Sequence, residues 1–356
     1  VMHFLKRHFT TFLVFLLCAG VGRAAPKFPF KSPYKASLLS AMPTPKYPET
    51  VEKVTVKPGV TLNIRFQRDV QAPLLFIMPG LGGTTTSGLS EILAHQAYLS
   101  GYHTINLINP VHPSFVSSIS DRGFVGNFFY DMADLTQMMR STVNGLKAKI
   151  QPRFYSLVGF SLGGSLVPLL EMEDRRDPFF NFKQVIMLNP GASISFAVTS
   201  IDELYRTKVT ARDGLAKSII GKNFRKSLFL VIQATKKRNL ISEFHSISKP
   251  TELDFENYLN NRIGTLSIAQ DHRFFKAGEK FSDSFDFVNY TALFSGNTKF
   301  VVVHNRDDFM LRGSDIKFYE KYFKGRLKFF SYGGHCGNYW VKEYQEHFRK
   351  IINFSK

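Results

Sequence analysis

The 356-residue chain predicts a mostly parallel β-sheet with helices on both faces, and three observations carry that reading. Apolar runs dense in branched residues recur along the chain, each too brief for a helix. Segments with helical spacing lie between several of them, and strands alternating with helices imply a parallel sheet covered on both sides. A 44% hydrophobic and 21% charged composition supplies a large core and excludes disorder or a collagen-like repeat.

The first 24 residues read as a secretory signal peptide. Lys6 and Arg7 precede an apolar stretch from Phe9 to Val21, and Gly22-Arg23-Ala24 is a small-x-small cleavage site. The stretch is shorter than the ~20 residues of a membrane-spanning helix. Leu17 is bulkier than the residue a lipoprotein signal tolerates before its cysteine, so Cys18 is not read as a lipid anchor. The chain is therefore expected to be exported, periplasmic or extracellular, with an uncleaved, anchoring signal as the alternative. Cleavage would remove Cys18 and leave Cys336 without a partner, so the fold would rest on burial alone or on pairing between chains. Lys and Arg number 46 against 28 Asp and Glu, a net charge of +18. That excess suits an anionic envelope surface as partner, and equally a lysine-rich solvated exterior. No nucleic-acid motif accompanies it.

Residues 25–50 hold six of the sixteen prolines and show neither helical nor strand period, which predicts an extended arm. Two Ser-x-x-Lys tetrads, Ser32–Lys35 and Ser246–Lys249, lack a following Lys-Thr-Gly and are read as chance. The folded domain is expected over 51–356. Val51–Val56 and Val60–Phe66, joined by Lys57-Pro58-Gly59, predict a hairpin. Strands are expected at Leu74–Met78, His103–Ile108, Phe154–Val158, Val185–Leu188, Phe300–Val303 and Leu327–Phe330. Helices are expected at Glu91–Leu99, Phe128–Leu146, Leu162–Met172, Ile316–Phe323 and Val341–Ile352. Residues of about 191–297 break the alternation, with helical turns at Ala211–Phe224 and Glu252–Leu259. The stretch is too long for a loop and predicts an inserted helical cap over the strand ends.

Chemistry gathers at those strand ends, where open α/β sheets bind ligands. The run Phe154–Val158 passes through Gly159-Phe160-Ser161-Leu162-Gly163 into a helix, the context that a Gly-x-Ser-x-Gly nucleophile elbow requires. Ser161 would stand at the apex of a strained turn, and Gly159 and Gly163 would pass too close to neighbouring backbone for a Cβ. A serine hydroxyl needs a base oriented by a carboxylate, and in this architecture they follow in the order Ser, acid, His. His304-Asn305-Arg306-Asp307-Asp308 closes one strand and Gly333-Gly334-His335-Cys336-Gly337 follows the next. Glycines flank His335, on a loop expected to be bare and free to swing toward Ser161, a setting that none of the other nine histidines has; His304 reads as structural. Asp308 is preferred over Asp307 as the acid, with Asp307 a solvated or loop-capping residue. For the oxyanion, the backbone N–H of Leu162 is one donor and that of Leu81, in the turn Pro79-Gly80-Leu81-Gly82-Gly83, the other.

These motifs resemble the α/β-hydrolase superfamily and, within it, YheT-type esterases. The resemblance rests on Pro79-Gly-Leu-Gly-Gly83, Gly159-Phe-Ser-Leu-Gly-Gly164, Asn305-Arg-Asp-Asp308 and Gly333-Gly-His-Cys-Gly337, within about Leu74 to Phe348. It implies an α/β-hydrolase fold with Ser161 as nucleophile, Asp308 as acid, His335 as base and the amides of Leu81 and Leu162 as oxyanion donors. The chain departs from the family at Pro79, where a His is usual, and after the next strand, where an Arg-Gly is usual and this chain reads Asn109-Pro110-Val111-His112. The expected activity is hydrolysis of a carboxylic ester, with a small-molecule ester as substrate and a lipid-like one among the options. Acyl transfer or thioester hydrolysis by the same residues, or a non-catalytic envelope binding protein on the same fold, are the alternatives. No His-Glu-x-x-His, paired Cys-x-x-Cys or Walker loop is present, so no metal or cofactor is expected.

Overall fold

A computed structural model of the chain describes residues 28–42, 46–238, 254–266 and 279–353. The signal-like segment 1–24, the tetrad Ser246–Lys249, His245 and His272 lie outside the described residues. Eight strands form one sheet: β1 (Glu52–Lys57), β2 (Val60–Arg65), β3 (Leu74–Met78), β4 (His103–Asn106), β5 (Tyr155–Phe160), β6 (Gln184–Leu188), β7 (Phe300–Asn305) and β8 (Leu327–Phe330). Their spatial order is β1-β2-β4-β3-β5-β6-β7-β8. The β1–β2 hairpin turns at Lys57-Pro58-Gly59, where Gly59 takes φ +74°. β2 joins the sheet antiparallel to β4, pairing Ile64 with Ile105, and every pair from β4 to β8 is parallel.

Inner strands such as β3 and β6 run between two apolar layers, which is why their sequences are near-continuously apolar. Leu74, Phe76 and Met78 of β3 face one layer, with Leu157, Met187 and Val302 from its neighbours. Leu75 and Ile77 face the other, with Val158, Ile186 and Val303. Helices α2 (Gly88–Leu99) and α9 (Lys342–Asn353) cover the second layer through Ile92, Leu93, Tyr344 and Phe348. α3 (Pro113–Ser118), α4 (Phe128–Gly145), α5 (Leu162–Arg176) and α8 (Gly313–Tyr322) pack on the first, burying among others Phe115, Leu135, Met139, Leu166 and Tyr319. Each such side chain contributes roughly 1.5–3 kcal/mol by leaving water.

The chain departs most from the sequence-based expectation in the arm and in the segment between β6 and β7. The proline-dense arm is not extended throughout. Pro33–Ser37 form a short helix, α1, followed by a 3₁₀ turn Leu38–Ala41. Ser32 caps it by accepting from the Lys35 N–H at 3.3 Å, and Pro33 sits in the first turn, where its missing N–H costs nothing. The Ser32–Lys35 tetrad is thus a helix cap. The arm then closes on Glu49, buried in an ion pair with Arg65 at 2.9 Å, and Arg65 also meets Glu91 at 2.6 Å.

Between β6 and β7 the described residues are largely helical. α6 (Ile194–Arg206) and α7 (Gly214–Arg238) pack closely at Gly221, where a Cβ would lie 2.5 Å from the Tyr205 nitrogen. α7 runs fourteen residues beyond the expected end at Phe224. A helical turn Phe255–Asn257 leads into a π-helical turn Tyr258–Ile263, and 3₁₀ turns Phe281–Phe285 and Phe287–Tyr290 bring the chain back to β7. Among the described residues no helix is long and apolar enough to cross a membrane.

Candidate active site

Ser161 stands between β5 and α5 with φ +56° and ψ −128°, a conformation that a side-chain-bearing residue adopts only under strain. The surrounding glycines explain how it is held. A Cβ on Gly159 would collide with the Gly163 carbonyl, and one on Gly163 with the carbonyl oxygens of Met78 and Pro79. β5, α5 and the turn after β3 therefore meet at backbone distance. The Ser161 N–H donates to the Leu188 carbonyl at 2.9 Å, tying the turn to β6.

The three residues that the sequence singles out come together. Ser161 Oγ lies 2.6 Å from His335 Nε2, and His335 Nδ1 lies 2.9 Å from Asp308 Oδ2. Asp308 is fully enclosed, and burial alone would push its carboxyl up. The neighbouring His335 and His304 imidazoles and the Met310 N–H outweigh that and hold it below its ordinary value. An ionised Asp308 can only accept, so His335 carries its proton on Nδ1 and presents Nε2 as acceptor toward the serine. Asn189 Nδ2 donates to the same Asp308 oxygen at 3.1 Å, and the Met310 N–H donates to the other at 2.9 Å.

Asp307 makes a different set of bonds. Its carboxylate accepts from the N–H groups of Gly334 at 2.9 Å and Gly333 at 3.3 Å, which makes it a brace for the histidine loop. His304 is buried, with its pKa lowered by desolvation; its Nδ1 accepts from the Asn305 N–H and its Nε2 lies 3.0 Å from the Pro190 carbonyl, so it fills a structural niche.

The loop bearing His335 is pinned, contrary to the expectation that it would be free to swing. Gly333 and Gly334 take φ +143° and +54°, which lets the loop pack flat against its neighbours. The His335 N–H donates to Ser37 Oγ at 2.7 Å, and Ser37 in turn donates to the Pro33 carbonyl at 2.6 Å. Asn305 Nδ2 donates to the Gly334 carbonyl, and Asn305 and Asn338 exchange amide hydrogen bonds at 3.1 and 2.7 Å. Trp340 Nε1 donates to the Leu39 carbonyl at 2.8 Å. Five side chains to which sequence reasoning gave no role thus hold the site: Ser37, Asn189, Asn305, Asn338 and Trp340. Asn189 and Asn305 stand at strand carboxyl ends, a position that could have singled them out. Nothing in the local pattern marks Ser37.

Leu81 and Leu162 both border the cavity that Ser161 and His335 open into. Leu162 is the first residue of α5, where the N–H has no partner within the helix and the helix dipole is positive. The Leu81 turn is braced by Asn109, whose Nδ2 donates to the Pro79 carbonyl at 2.8 Å and whose N–H donates to the Gly83 carbonyl at 3.1 Å. Asn109 thus carries the turn. Gly80 lies so near Ser161 that a Cβ there would stand 2.9 Å from the serine Cβ. The cavity is narrow, about 50 Å³, and walled by Val111, Phe128, Ile194, Val198, Phe224 and Met310. A second, more open recess of about 160 Å³ also reaches Ser161, past Ser40, Ser87 and Phe160. No cluster among the described residues has the makings of a metal site.

The eight-stranded sheet, the elbow after β5 and the helices between β6 and β7 define the α/β-hydrolase fold. Among solved structures the chain is similar to EstE5, soaked with p-nitrophenyl butyrate, at 13% identity over 97% of each chain with a TM-score of 0.51. Less close in shape are an esterase/lipase from an uncultured bacterium, at 13% identity over 97% of each chain with a TM-score of 0.49, and Est1E from Butyrivibrio proteoclasticus, at 13% identity over 86% of this chain and 99% of that one with a TM-score of 0.45. No family model and no curated protein matches the sequence.

Proposed function

We propose that the protein is a serine hydrolase that cleaves a carboxylic ester through an acyl-enzyme. The observation that carries this is the unbroken chain of hydrogen bonds from Ser161 Oγ through His335 to the buried Asp308. His335 Nε2 takes the hydroxyl proton as Oγ attacks the ester carbonyl, and Asp308 stabilises the imidazolium that forms. The tetrahedral oxyanion is met by the N–H groups of Leu81 and Leu162. His335 then returns its proton to the departing alkoxide, and water, deprotonated by the same base, releases the acid.

The apolar walls of the narrow cavity suit an apolar acyl chain, and the open recess past Ser40 and Ser87 suits the alcohol. The likeness of fold to EstE5 and the resemblance of four motifs to those of YheT-type esterases support the same reaction. Ser161→Ala is expected to abolish turnover of p-nitrophenyl esters of graded chain length while leaving the melting temperature near that of the parent. Turnover retained by Ser161→Ala would overturn the reading. Transfer of the acyl group to added alcohol in preference to water would instead make the protein an acyltransferase. Export rests on the pattern of residues 1–24, and the mass of the mature chain tests it.

A further inference from the structure

We propose that the outer face of α7 docks the protein on an anionic lipid surface. Eight large apolar side chains are exposed among the described residues, and four of them, Val209, Leu215, Ile219 and Leu230, lie on α7 or just ahead of it. At about 100° per residue, Leu215, Ile219, Lys222, Lys226, Leu230 and Lys237 fall within roughly a quarter of the helix circumference. All six are exposed. The 25 residues of α7 include seven Lys or Arg and no acid. Four of the seven are engaged elsewhere: Lys217 over the Tyr34 ring, Arg225 toward Asp202, Arg238 onto the Ser117 carbonyl, and Lys236 as well. Lys222, Lys226 and Lys237 stay on the outer stripe among the aliphatic residues.

Aliphatic side chains flanked by lysines match a bilayer interface, where the former enter the headgroup region and the latter meet lipid phosphate. A soluble polyanion would use the lysines and leave Leu215, Ile219 and Leu230 in water. The opposite face of the helix borders the site: Phe224 lines the cavity, and Ser227 packs against Gly82 of the Leu81 turn. Docking through the outer face would therefore set the active-site cap against the lipid.

The test is co-sedimentation of the full chain with vesicles of phosphatidylcholine, alone or with about one-third phosphatidylglycerol. The parent chain is expected to bind the anionic vesicles. Leu215→Ser/Ile219→Ser/Leu230→Ser and Lys222→Glu/Lys226→Glu should each lower the partition coefficient about tenfold or more. Both variants should keep the parent's turnover of p-nitrophenyl acetate, which also reports correct folding. Should the triple variant lose that turnover, the single variants Leu215→Ser, Ile219→Ser and Leu230→Ser take its place. Unchanged partitioning of the folded variants, including binding held by residues 1–24, would overturn the proposal. So would loss with the glutamates but not the serines, the signature of polyanion binding.

Discussion

At Ser161 the backbone is held where glycine is at ease and serine is not, at a cost on the order of 1–3 kcal/mol. Replacing the side chain by hydrogen should relieve part of that strain, whereas alanine keeps it. Ser161→Gly is therefore expected to be more stable than Ser161→Ala by about 1 kcal/mol, read from denaturant unfolding. Equal stabilities would place the strain elsewhere. The two neighbouring aspartates separate just as sharply. Asp308→Asn should lower kcat by roughly 10³–10⁴, because an amide cannot hold His335 in the needed tautomer. Asp307→Asn keeps an oxygen for the loop amides and should cost less than about tenfold. Steady-state kinetics on the two variants checks both numbers. The sequence made Asp308 the better candidate because it falls four residues past His304 with apolar residues following. The Asn305–Asn338 amide pair was beyond such reasoning, since 33 residues separate its members.

Among the elements, α1 matters most for its size. Ser37, Trp340 and the arm's Leu39 carbonyl fasten the histidine loop, and Tyr34 stacks on Phe309, whose ring lies 5.6 Å from that of His335. Ser37→Ala should lower kcat about five- to tenfold with KM nearly unchanged, as expected when a base is less well held and binding is untouched. A change confined to KM would contradict that role. Strands β3 and β8 agree with their sequence-based bounds, since a mostly apolar run of four or five residues between turn-forming residues is too short for a helix. α1 was illegible because a five-residue helix draws its stability from contacts about 300 residues away in sequence, and local proline density argues the other way. In the cap, burial pushes the carboxyls of Asp202 and Asp286 up to about 6 each, the backbone N–H groups they accept from only partly offsetting it. A raised acid favours the folded state when protonated, so this contribution is present near pH 4 and lost as pH rises through about 6. Relative to the parent, Asp286→Asn should gain melting temperature over that window. A flat difference would show that the carboxyl titrates normally.

The whole molecule brings residues 161, 308 and 335 together through strand order. β5, β6, β7 and β8 lie side by side, so the turns after β5, β7 and β8 open at one edge of the sheet. That convergence was readable in advance, because right-handed crossovers between parallel strands leave their carboxyl ends on one side. The layout of the cap was not, since its turns at Tyr258–Ile263 and Phe281–Phe285 have no strong period. Labelling with a fluorophosphonate tests the assembly most directly. One adduct per chain, mapped to the Ser161 peptide and lost in His335→Ala, is the predicted result. A chain that hydrolyses esters while its adduct lies elsewhere, or that hydrolyses esters with Ser161 unlabelled, would contradict it.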